Sequence, residues 1–166
     1  ARIKASYPDL KKRVFNTFTG FAFDFQDREW SEFSPEERHQ LMEELWADGS
    51  LSFWVGTFMD VFFDSKVSKQ FGDFVANKIR QRVKDPVIAE QLIPKSHGFG
   101  SRRLPLETNY FEAYNRDSVS LVDLSETPIE RITATGVRTT RQDCNLDVLI
   151  FATGFDAGTG ALSRID

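Results

Sequence analysis

Before Pro94 the chain reads helical, with apolar residues at helical spacing in several segments; beyond it the pattern changes to short apolar runs and a hairpin of β type. A chain of 166 residues that changes period once has room for one ordinary domain or two small lobes. Helices first and strands second predict a mixed α/β class, α+β within this chain. Ser34-Pro35-Glu36-Glu37 joins an N-cap serine, a proline at the first helical position and a glutamate that returns the hydrogen bond, so a helix is expected from there to about Asp48-Gly49. The stretch "SFWVGTFMDVFF" (52–63) is almost wholly apolar and needs cover on both faces. An amphipathic helix is predicted from about Ser65 to Val83, with Val67, Phe71, Phe74, Val75, Ile79 and Val83 as its stripe, and Asp85-Pro86 opens a short helix through about Leu92. Asn16 to Phe33 is aromatic-rich without a period and is expected to be irregular, packing its rings on a neighbour.

After Pro94, the run from Lys95 to Leu106 has neither period and reads as a loop with Arg102 and Arg103 at its centre. Val119, Leu121 and Val122 fit a short buried strand, and Ile129, Ile132, Thr135-Gly136 and Val137 fit a hairpin turning at the glycine. Val148 to Phe151 has no polar alternation, the pattern of a central strand covered on both faces. Such a strand lacks partners and covering helices here, so the chain is expected to be a piece of something larger, a helical lobe of roughly ninety residues joined to an incomplete sheet.

Charge and cysteine usage narrow the function. Lysine and arginine number 21 against 25 carboxylates, a net charge of −4 with the basic residues scattered, which argues against a nucleic-acid reader. The single cysteine, Cys144, rules out an internal disulfide and a cysteine-cluster metal site; it reads as a buried or half-buried thiol in a reducing cytoplasm. No apolar run approaches the ~18 residues of a membrane span, and no charged leader precedes an apolar core, so a soluble, unsecreted, cytoplasmic protein is expected.

Arg102-Arg103, flanked by Gly98, Gly100 and Pro105, is the best chemical candidate. Fixed guanidinium groups bind phosphate and stabilise an oxyanion, whereas the plain alternative is a solvated basic loop. Thr153-Gly154 after the apolar run either lets a dinucleotide approach the backbone or simply reverses the chain. His97 reads as a loop histidine and His39 as a solvated one. Asp156 beside Phe155 reads as a turn cap rather than a ribose ligand, and Trp46, Phe53, Trp54, Phe58 and Phe62 read as core packing rather than a cofactor box. "GFGS" (98–101) has no strand before it and no helix after it, so it is not a phosphate-binding fingerprint.

Three linked stretches, "DPVIAEQLIPKSHGFGSRRLPLETNYFEAYNRDSVSLVD", "ETPIERITATGVRTT" and "LDVLIFATGFDAGTGAL", resemble the flavin-dependent Baeyer-Villiger monooxygenases of the phenylacetone and cyclohexanone monooxygenase type. The likeness spans nearly the whole chain, weakest before residue 64 and strongest from Asp85 to Leu162, with Ser118 in place of the family's usual asparagine. It implies a parent enzyme that uses FAD, NADPH and O2 to insert an oxygen beside a ketone carbonyl. It also implies a helical insertion over 1–93, the later part of an NADPH-binding domain with a partial Rossmann-like sheet and a β-hairpin or meander over 94–154, and a linker toward the FAD domain over 155–166. By position, Arg103 matches the catalytic arginine that stabilises the anionic peroxyflavin and contacts the nicotinamide. Arg102 matches the basic residue that recognises the 2'-phosphate of NADPH, and Thr153 and Gly154 fall at a strand end facing the dinucleotide.

Both glycine fingerprints, the family's His-containing signature and the carboxyl-terminal FAD segment are missing from these 166 residues. The chain alone is therefore expected to bind neither cofactor and to catalyse nothing, and apolar surface that meets the FAD domain in the parent would favour self-association. A flavin monooxygenase acting on nitrogen or sulphur, and a helical protein-interaction module, are the alternatives.

Overall fold

The computed structural model describes residues 2–154, 160 and 162–165. It divides into two compact units, the first ending at Leu121 and the second beginning at Val122.

Helices build the first unit: α1 (Arg2–Ala5), α2 (Tyr7–Phe15), α3 (Pro35–Asp48), α4 (Ser52–Val55), α5 (Ser65–Arg82), α6 (Pro86–Leu92) and α7 (Tyr110–Ala113). The expected signals set their ends. The Ser34 hydroxyl accepts from the Glu37 amide at 3.2 Å while the Ser34 amide donates to the Glu37 carboxylate at 2.7 Å, closing the capping box of α3. Gly49, in the left-handed region at φ 67°, ends that helix. Asp85 caps α6 by accepting from the amides of Val87 and Ile88 at 2.8 and 3.2 Å, with Pro86 in the first turn.

The stretch 52–63 breaks into α4 and a 3-10 turn (Met59–Phe62), and its cover comes from α3 and α5. Phe53, Phe58 and Val61 are buried with Trp30, Met42, Val67, Phe71 and Phe74, whereas Phe63 is exposed. Phe71 has no exposed surface, and its ring lies 5.5 Å from Trp30 and 5.8 Å from Phe53. Edge-on and tilted ring contacts of this kind fill the space between helices, with Phe53 and Phe58 in the core and Trp46 and Phe62 packed against it. Further along α5, Ile79 joins Val83 and Ala89 in a second small cluster.

The segment 16–33, irregular apart from a 3-10 turn at Trp30–Glu32, is tied to the 52–63 stretch by backbone and side-chain donors. Gln26 donates from its amide to Thr57 O at 2.9 Å and from its side chain to Gly56 O at 2.8 Å, and the Trp30 amide donates to Asp60 at 2.8 Å.

In the second unit, β1 (Ile129–Thr133), β2 (Gly136–Thr139) and β3 (Asp143–Asn145) form an antiparallel meander in the order β1-β2-β3. The predicted hairpin is present, with Ile132 opposite Val137 and Thr133 opposite Gly136. Gly136 is obligatory: φ is 153°, and a Cβ there would stand 2.0 Å from the Cys144 carbonyl oxygen of β3. Arg138 of β2 and Asp143 of β3 pair at 2.5 and 2.7 Å, and the arginine holds the Asp143 carboxyl below its usual range. Cys144 is half-buried, as expected.

Mixed α and β structure is what the sequence predicts, but two expected strands are absent. Residues 119–122 and 148–151 carry no strand, and Val148, Ile150 and Phe151 lie exposed instead of covered. Apolar character makes a segment fit for a sheet, but only ladder partners make it a strand, and none of the described strands pairs with either run. Conversely, β3 went unforeseen because Asp143-Cys144-Asn145 has no β-like composition and is held by pairing alone. No helix among the described residues is long and apolar enough to cross a membrane.

Candidate functional site

The two arginines sit in the segment between α6 and α7, and the sequence constrains both of its ends. Ile93 is extended before Pro94, which stops α6. At the far end the Glu107 carboxylate accepts from the Tyr110 amide at 2.8 Å, opening α7. Arg82, last residue of α5, reaches the same Glu107 at 2.6 Å and grips Glu112 with two nitrogens at 2.5 and 2.7 Å. Those bonds raise the guanidinium's affinity for its proton and hold the Glu112 carboxyl below its usual range. Asn115 completes the junction, donating to Arg82 O at 2.7 Å and accepting from the Lys84 amide at 2.8 Å.

Between these ends the loop alternates inward and outward residues. Phe99 enters the core, 5.3 Å from Phe71 and 5.4 Å from Phe53, and Leu104 packs on the same cluster. Arg102 and Arg103, lying between them, are exposed. Ser101 closes a turn by donating its hydroxyl to Gly98 O at 2.7 Å. Gly100 has φ +89°, where a side chain is strained, and a Cβ would also press on Val61 at 3.2 Å.

Alongside α5 this loop encloses a cleft of about 540 Å³ lined by Lys69, Asp73, Arg80, Lys95, Arg102 and Arg103, among others. Lys69 is paired with Asp73 and Arg80 with Glu90, both at 2.6 Å. Arg102 and Arg103 make no ion pair with another described residue. Two adjacent always-charged forks, on the rim of a concave surface, suit an anionic oxygen or phosphate.

His97 lines the same cleft, half-buried, with the Ser96 hydroxyl 3.2 Å from its Nδ1 and no carboxylate beside it among the described residues. His39 is exposed on α3, 3.8 Å from Glu43. Thr153 and Gly154 belong to the second unit and are exposed; Gly154 has φ +83°, and a Cβ there would meet nothing within 4 Å, so its conformation and not crowding calls for glycine. Asp156 and Phe155 lie outside the described residues. Sequence reasoning missed the supports of the loop, Ser68, Phe99 and Arg82. The only signal for Phe99 was its place between Gly98 and Gly100.

No family model matches the chain. It is 47% identical over 164 residues to 2-oxo-Δ3-4,5,5-trimethylcyclopentenylacetyl-CoA monooxygenase of Pseudomonas putida, covering 99% of this chain and 30% of that protein. A Baeyer-Villiger monooxygenase of Pseudooceanicola batsensis is 38% identical over 100% of this chain and 30% of its own length. Among solved structures, OTEMO in complex with FAD and NADP superposes with a TM-score of 0.93 at 47% identity, over 99% of this chain and 31% of that one. The phenazine N-monooxygenase PhzNO1 of Lysobacter antibioticus also matches along 100% of the chain, at 34% identity, so a helical lobe with this loop is not confined to proteins named for ketone oxidation. The chain spans about 30% of the length of the curated relatives it matches, and along nearly its whole length it is similar to Baeyer-Villiger monooxygenases.

Proposed function

We propose that the chain supplies the helical insertion (1–93), the later part of the NADPH-binding domain (94–154) and a linker (155–166) of a cytoplasmic, FAD- and NADPH-dependent monooxygenase that inserts one oxygen atom of O2 beside a ketone carbonyl. The observation that carries this reading is the exposed Arg102-Arg103 on a cleft, without an ion-pair partner among the described residues, in a loop anchored in the aromatic core. These residues fit the phosphate of NADPH. FAD is not accommodated by the described residues in any comparable way, since no glycine fingerprint follows a strand, and its site lies in the rest of the parent.

When bound, the two cofactors supply the hydride and the activated oxygen. Arg102 binds the 2'-phosphate, which distinguishes NADPH from NADH. Arg103 orients the nicotinamide end and stabilises negative charge that develops beside it, as a pre-aimed guanidinium does without reorganising. Thr153 and Gly154, exposed in the described structure, offer backbone to the dinucleotide.

In the complete enzyme, Arg103→Ala should lower ketone-dependent NADPH oxidation by roughly 10²- to 10³-fold, the usual cost of one charge-stabilising donor. Unchanged ester or lactone formation would remove Arg103 from the chemistry. A second reading, oxygenation of nitrogen, is favoured by the match to the phenazine N-monooxygenase. Product analysis with a ketone and an aromatic N-heterocycle decides between them.

A further inference from the structure

Ser68 lies near the start of α5, 31 residues from the loop it touches. Its hydroxyl donates to the Phe99 carbonyl oxygen at 2.7 Å, and a Cβ built on Gly98 would stand 2.9 Å from the same hydroxyl. The Phe99 carbonyl belongs to the peptide joining Phe99 to Gly100, and Gly100 is the residue at φ +89°. Glycine is free to change φ at little cost, so sequence alone does not hold that peptide in one orientation. The Ser68 hydroxyl holds it from α5, between the Ser101 hydroxyl closing its turn on Gly98 O and the Phe99 ring packed on the core. The chain reaches Arg102 two residues later, so the direction of both guanidinium groups is inherited from this peptide.

We infer that Ser68 is a positioning residue for Arg102 and Arg103, fixing the Phe99–Gly100 peptide so that both guanidinium groups face the cleft. The inference rests on the nucleotide-binding role proposed above for Arg102. It differs from that role in being carried by a helix residue that also lines the cleft but whose hydroxyl is spent on the loop backbone.

The test uses the complete enzyme carrying this segment, with Ser68→Ala, Gly98→Ala and Arg102→Ala compared by NADP+ and NAD+ titration and by amide exchange over residues 97–105. Gly98→Ala crowds the same hydroxyl without altering α5, so it serves if Ser68→Ala fails to fold. Loss of one neutral hydrogen bond corresponds to roughly a fivefold effect, so Ser68→Ala should cut the preference for NADP+ over NAD+ about fivefold, weaken NAD+ binding less than NADP+ binding and speed exchange across the loop. An undiminished preference in Ser68→Ala, where Arg102→Ala abolishes it, overturns the inference and leaves the role of Arg102 standing. If Arg102→Ala itself keeps the preference, the nucleotide reading fails, and exchange alone then judges Ser68: faster exchange supports it as the loop's anchor, and unchanged exchange overturns it.

Discussion

The two units solve the problem of burying apolar surface in opposite ways. In the first, seven buried residues from several helices and loops close around Phe71, and even the segment 16–33 contributes Trp30 to the core. In the second, only Val137 and Thr139 are buried among the described residues, while Ile129, Ile132, Val148, Ile150 and Phe151 stay exposed. A three-stranded meander has one face's worth of side chains and nothing described to set against it, and sheets of this size owe their stability to what covers them. The lesson is that helical periodicity carries its own partners within a short stretch of chain, whereas a sheet borrows them from wherever the fold brings them.

The sharpest way to break this comparison is at the centre of the first core. Phe71→Ala should cost about 3–5 kcal/mol, as truncation of a fully buried ring does, and should speed amide exchange in α3 and α5 while β1 to β3 remain unchanged. Equal loss in the meander would mean that the two units unfold as one.

A smaller effect is expected from the uncovered residues of the second unit. The chain by itself should associate through them, since contiguous exposed apolar surface seeks a partner, and Val148→Lys with Ile150→Lys should shift its sedimentation toward the monomer. Unchanged sedimentation would place the association elsewhere, with the exposed Phe15, Phe18 and Phe63 of the first unit as the next candidates.

The smallest effect belongs to the Arg82 junction. Arg82 holds the Glu112 carboxyl below its usual range, so this pair stabilises the folded state above the ordinary glutamate pKa of 4.5, and the contribution is lost as pH falls through the lowered value. Exposed pairs are worth little, so the midpoint of thermal unfolding should drop only slightly more in acid for the unaltered chain than for Glu112→Gln. Identical acid profiles would show the pair to be neutral.

How much was legible follows the same division. α3, α5 and α6 could be placed nearly to the residue because Ser34, Gly49, Asp85 and Pro86 act on their own neighbours. The β1-β2 hairpin was readable for the same reason, its turn being local. Residues 119–122 and 148–151 were not, because strand status depends on a ladder that sequence does not display. At the site, Arg102 and Arg103 announce themselves by residue type and by their flanking glycines. Ser68 does not, because a serine on a helix looks solvated until the loop folds back onto it.

The insertion of Phe99 among Phe53 and Phe71 has a practical consequence for anyone altering such an enzyme. Interior repacking aimed at heat tolerance would act on the same rings that carry the arginine segment, so coenzyme preference would drift in variants selected only for endurance. Screening those variants with both coenzymes would reveal the trade before it became fixed.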